Sequence, residues 1–191
     1  MNGDVQQKIW LKTYLTNSRV ETALEDLLLI LEGAQANTLH ARLRIPMNIP
    51  GHHGVEFMAI ILAARLSSNL KWASSISAIG IGIFILFPVL GFNDPMMGFN
   101  YMLPCFFMDF AWQNVKVKKH ASLLLSVAAG LAYMLIPISR SITTLTLGYP
   151  YSSFIKHGFI TPVVTFLIFG FLGGLLGTGL YKLGRRIFIK K

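Results

Sequence analysis

The sequence predicts an all-α membrane protein, a bundle of about six transmembrane helices with both termini in the cytoplasm. Three observations carry this. First, the 191 residues are 53% hydrophobic and only 13% charged, with a mean hydropathy of +0.57, which excludes a disordered chain and argues against an ordinary soluble domain. Second, long apolar stretches fill the chain from Trp72 to Tyr181. Those near Trp72–Leu90, Phe99–Gln113, Leu123–Ile138 and Ile160–Tyr181 approach the ~20 apolar residues that a hydrocarbon core of ~30 Å requires. Third, the basic residues fall on alternate loops. Lys8, Lys12, Arg19, Arg65, Lys71, Lys116, Lys118, Lys119, Lys182, Arg185, Arg186, Lys190 and Lys191 gather on one side, against Arg42, Arg44, Arg140 and Lys156 on the other. That asymmetry places the first side in the cytoplasm.

The elements follow in order. Residues 1–19 form a cytoplasmic amphipathic lead, with Ile9, Trp10, Leu11 and Leu15 at the interface; Met1–Asn17 lacks the features of a signal peptide. The membrane domain covers 20–182. Its first element, Val20–Leu43, mixes leucines with Glu25, Asp26, Glu32, Gln35, Asn37 and His40. A charge at bilayer depth costs roughly 2.5 kcal/mol or more, so this element spans only with its polar face turned inward. The second, Val55–Leu70, is short and apolar through Phe57–Ala64, with Arg65 snorkelling to the interface. These two form a hairpin that crosses or lies shallow as a unit. Four further helices follow, then a basic cytoplasmic tail over 183–191.

Small residues mark packing faces: Ser74, Ala78 and Gly82 in the third helix, and two interleaved stripes, Gly170 with Gly174 and Gly173 with Gly177, in the last. Such stripes join helices within one bundle or between chains; internal packing is the expectation. Pro104 is expected to kink the fourth helix, and Pro88, Pro95, Pro137, Pro150 and Pro162 to punctuate ends. Cys105, the one cysteine, cannot form an intrachain disulfide and reads as a packing residue. The formal charge of +9 is accounted for by anionic headgroups and insertion, and with no groove-reading motif nucleic acid is not an expected partner.

Chemistry is expected on the outer loops. The first, Arg42 to Glu56, holds two prolines and two glycines together with Arg44, Asn48, His52, His53 and Glu56. His53 and Glu56 are three apart, and His52 and Glu56 four apart, so a helical face could ligate a metal; equally, these groups could cap the second helix or hold the loop. The second, Gly91–Pro95, is a turn in which Asn93 and Asp94 satisfy backbone donors. The third, Ser139 to Gly158, reads as a long loop carrying Arg140, Tyr149, Tyr151, Lys156 and His157. Together they are expected to close a pocket for a small polar or anionic molecule, with aromatic stacking and charge from Arg44, Arg140 or Lys156. Asp109 lies near the cytoplasmic end of the fourth helix, where pairing with a lysine or docking a partner is favoured over ligand binding. No His-Glu-x-x-His, Gly-x-Ser-x-Gly or P-loop is present, so the chain reads as a non-enzyme without a cofactor, and ATP-driven work would require another subunit.

The polar first helix runs into Ile45-Pro46-Met47-Asn48-Ile49-Pro50-Gly51-His52, and the turn Gly91-Phe92-Asn93-Asp94-Pro95 is followed by Asn100-Tyr101-Met102-Leu103-Pro104 and Asp109. With the length and cytoplasmic termini, this resembles the substrate-specific subunits of energy-coupling factor transporters over most of residues 20–182. The resemblance implies a multi-pass protein of the cell inner membrane that captures a vitamin or related micronutrient on its outer face. The outer loops and the outer halves of the later helices, Asn100 included, would enclose the cargo. Docking on a transmembrane coupling protein with ATPase subunits would use the first helices, here Gly33 and Asn37, where the family commonly shows alanines four apart. Two competitors remain: a membrane scaffold or assembly protein without cargo, and a metal-handling membrane protein using His52, His53 and Glu56.

Overall fold

The apolar stretches become helices, and glycine sets how closely they pack. The computed structural model describes residues 20–36, 49–85, 94, 96–115 and 120–188. It contains α1 (20–36), α2 (Gly54–Ser67), α3 (Ala73–Ile85), α4 (Met97–Val115), α5 (Ala121–Leu147), the short α6 (Ser152–His157) and α7 (Ile160–Phe188), with no strand among the described residues. By length and composition α5 and α7 can each cross a membrane, while α3 is a shorter apolar helix.

Helix α7 sits between α2 and α5; α5 also packs on α4, and α4 on α3. Both glycine stripes of α7 are used inside this chain. A Cβ on Gly173 would lie 2.7 Å from the carbonyl oxygens of Gly54 and Val55, and one on Gly177 2.6 Å from that of Ala59. The other stripe faces α5: Gly170 meets Tyr133 and Ala129, and Gly174 meets Ser126. Only hydrogen on these positions permits such contact between backbones. The order of the contacts makes α7 parallel to α2 and antiparallel to α5. Helix α1 lies against α3 by the same device, with Gly33 on the Ser77 carbonyl and Gly80 on that of Ile30. Leu29, Gly33 and Ala36 are buried, whereas Leu24, Leu27, Leu28 and Leu31 are exposed. Of the polar residues expected to turn inward on α1, Glu25 accepts a hydrogen bond from the Ser68 hydroxyl, Gln35 is exposed, and Asn37 and His40 lie outside the described residues.

Three expectations are corrected. The segment from Ser139 is not a loop: α5 runs to Leu147, and only Gly148–Tyr151 separates it from α6. The hydroxyls of Ser139, Ser141, Thr143, Thr144 and Thr146 each donate to a carbonyl three or four residues earlier, so a polar sequence continues a helix by hiding its polarity in its own backbone. Gly148, at φ 66, ends it by donating to the Thr144 carbonyl. Pro137 lies within α5 instead of marking its end; Pro104 is likewise inside α4. Arg65 does not snorkel: it is fully buried, for reasons given below.

Candidate functional site

One end of the bundle gathers polar side chains from α2, α4, α5 and the connection after α5. Arg140, placed in the last turns of α5 by the helix extension, has its guanidinium carbon 5.8 Å from the Tyr101 ring centroid and 5.2 Å from that of Tyr151. It is thus held between two aromatic faces. Its Nη2 donates to Asp94 Oδ2 at 3.4 Å. The other oxygen, Asp94 Oδ1, accepts from the Met96 amide at 3.0 Å and from the Tyr151 hydroxyl at 3.1 Å. Burial, reinforced by the Asp94 carboxylate, pushes the Tyr151 phenol above its ordinary pKa, so it donates as a neutral hydroxyl. One turn into α4, the buried Asn100 Oδ1 accepts from Ser139 at 2.6 Å.

Aromatic rings complete the wall. Tyr133 stacks on Phe166 at 4.7 Å, and Phe57 meets both Tyr101 and Tyr133. The turn before α2 fits against the same rings because Gly51 and Gly54 have no Cβ; one on Gly51 would strike Phe166 and one on Gly54 would strike Tyr133. Within this assembly Glu56 Oε2 and Tyr133 Oη are buried and have no hydrogen-bond partner among the described residues, while Asn100 and Arg140 also reach the Tyr151 and Tyr101 hydroxyls. The two prolines inside helices add to this chemistry. Lacking an N–H, Pro104 and Pro137 give no helical donor to the carbonyls four residues earlier, those of Asn100 and Tyr133.

The first-loop residues divide. His52 Nδ1 lies 2.7 Å from the Ile49 carbonyl, which can only accept, so in the neutral ring Nδ1 carries the proton. This bond holds the turn. The His53 ring lies tilted against that of His52, centroids 3.8 Å apart, and its Nδ1 is 4.0 Å from Glu56 Oε1. Among the described residues no three His, Cys, Asp or Glu side chains come close enough to share a metal ion. Tyr149 lies beside Tyr151 at 4.9 Å. Lys156 and His157 stand at the end of α6, with Lys156 exposed. Arg44, Asn48, Asn93 and Asn37 lie outside the described residues. Asp94, Tyr101, Tyr133 and Ser139 belong to the assembly although loop and charge counting did not select them. The signal for the tyrosines was a hydroxyl within an apolar span.

Asp109 occupies the opposite end. Its Oδ1 accepts from Arg65 Nη1 at 2.9 Å and from the Ser74 amide at 3.1 Å; its Oδ2 accepts from the amide and the hydroxyl of Ser75, both at 2.7 Å. A carboxylate on α4 therefore caps the N-terminus of α3. Arg65 Nη2 donates to the Ser68 and Leu70 carbonyls beyond α2, and its guanidinium lies 5.2 Å from the Trp112 ring. The pairing expected with a lysine is made with Arg65. Gly33 is buried against Ser77.

Comparison with known protein families, with curated proteins and with solved structures finds no match to this chain.

Proposed function

We propose that the chain is a membrane-embedded receptor for a small polar solute, acting as the substrate-binding subunit of an uptake system of the energy-coupling factor type. The observation that carries this reading is the pair of buried polar atoms, Glu56 Oε2 and Tyr133 Oη, that find no hydrogen-bond partner among the described residues and lie on one aromatic-walled patch with Asn100 and Arg140. An unmade buried hydrogen bond costs roughly 1–3 kcal/mol, so two on one such patch fit a polar guest better than a packed core. The patch offers donors from Asn100 and Arg140, an acceptor from Glu56 and both from Tyr133. A micronutrient with a flat ring and amide-like edges matches that inventory. Energy would come from partner ATPases through a membrane coupling protein, because the chain carries no P-loop. The scaffold alternative loses its main support, since both glycine stripes of α7 are used within the chain.

Native mass spectrometry of the gently extracted protein should detect a retained solute, and titration should show affinity falling in Asn100→Ala and Tyr133→Phe. Unchanged affinity in both variants would move the site elsewhere.

A further inference from the structure

A cleft lies at the other end of the molecule. Where the C-terminal turns of α2 and α7 diverge, an open cleft of about 740 Å³ is lined by Leu66 and Leu180 as apolar walls and by Ser67, Asn69, Tyr181 and Arg185 as a polar rim. Lys182 and Arg186 flank it on α7, and among the described residues no acidic one lines it. Cations with a tyrosine at the end of a long apolar helix mark the depth of lipid headgroups. We propose that this cleft binds one acidic glycerophospholipid, its phosphate on Arg185 and its acyl chains along Leu66 and Leu180. The chemistry favours this occupant over others. A basic peptide would be repelled, and a soluble anion would leave the apolar walls without a partner. The proposal rests on the membrane-embedded reading of the chain and is independent of the solute site.

The test uses the full chain, stripped of lipid in uncharged detergent and offered phosphatidylglycerol or phosphatidylcholine, with retained lipid read by native mass spectrometry. One phosphatidylglycerol per chain is expected, retained about tenfold or more over phosphatidylcholine, as a charge-assisted contact provides. Arg185→Gln should abolish the preference, whereas Arg186→Gln, which removes the same charge beside the cleft, should keep it. Gly184→Leu puts a side chain into the cleft while leaving Arg185 in place; its Cβ meets nothing within 4 Å, and lipid retention should fall. Excess inorganic phosphate should not displace the lipid. Equal retention of both lipids, equal loss in the two arginine variants, full retention in Gly184→Leu, or displacement by phosphate would each overturn the site. Carbonate extraction of the native membranes separates the two readings. A chain released as soluble fails both, and a chain retained without lipid preference fails the lipid site alone.

Discussion

Arg65 and Asp109 are both fully buried, 2.9 Å apart, and this pair yields the sharpest quantitative test. Removing either partner leaves a charge stranded where water cannot reach it, a loss of about 3–5 kcal/mol. For a chain of this size each kcal/mol moves the midpoint by roughly 2–4 °C, so Arg65→Met or Asp109→Leu should lower thermal unfolding in detergent by about 6–20 °C. The double variant removes both charges at once. What remains lost is the acceptor for the Ser74 and Ser75 amides, a capping contribution of about 1 kcal/mol, and the donor to the Ser68 and Leu70 carbonyls, roughly 0.5–1.5 kcal/mol each. The double variant should therefore unfold below wild type but well above the sum of the singles. Trp112, lying against Arg65, provides an intrinsic fluorescence signal for the melt. Single variants indistinguishable from wild type, or a double variant as unstable as the two losses added, would refute the reasoning.

Other outcomes follow from the same contacts. Solute affinity in Asp109→Asn should stay within about twofold of wild type because the residue lies at the far end, whereas Asp94→Asn, which weakens the hold on Arg140 and Tyr151, should reduce it by about tenfold in the same titration. Gly173→Leu should collapse the α2–α7 contact and the yield of folded protein by size exclusion. Gly179→Ala, where a Cβ meets nothing within 4 Å, should be neutral or raise the midpoint through the roughly 0.5–1 kcal/mol difference in helix propensity. In a variant lacking Cys105, cysteines introduced over 115–119 should resist an impermeant thiol reagent added to intact cells while one at Ser152 reacts; reversed labelling would invert the orientation.

The helices were legible because burial in them is a one-dimensional pattern: the apolar runs around Leu123–Ile138 and Ile160–Tyr181 became α5 and α7, extended at their ends. What escaped was polarity satisfied locally or at long range. The Ser and Thr residues of 139–147 read as a loop because composition does not reveal that their hydroxyls fold back onto carbonyls. Arg65 read as a snorkelling residue because its acid partner is distant in sequence. Asp94 was recognised as a turn residue, which it is, but one carboxylate serves both the turn and Arg140. Of the expected site, Glu56, Asn100, Arg140 and Tyr151 come together; which tyrosines of the spans face them depends on packing between α4 and α5, beyond the reach of spacing alone.

The buried pair also sets a timetable for synthesis. Asp109 leaves the ribosome 44 residues after Arg65, which at roughly 5–20 residues per second means a wait of about 2–9 s. During that interval the guanidinium has no acid to meet, and the first amides of α3 have no carboxylate above them. Helix α2 therefore cannot bury its arginine until α4 has emerged, and α2, α3 and α4 settle together at that point.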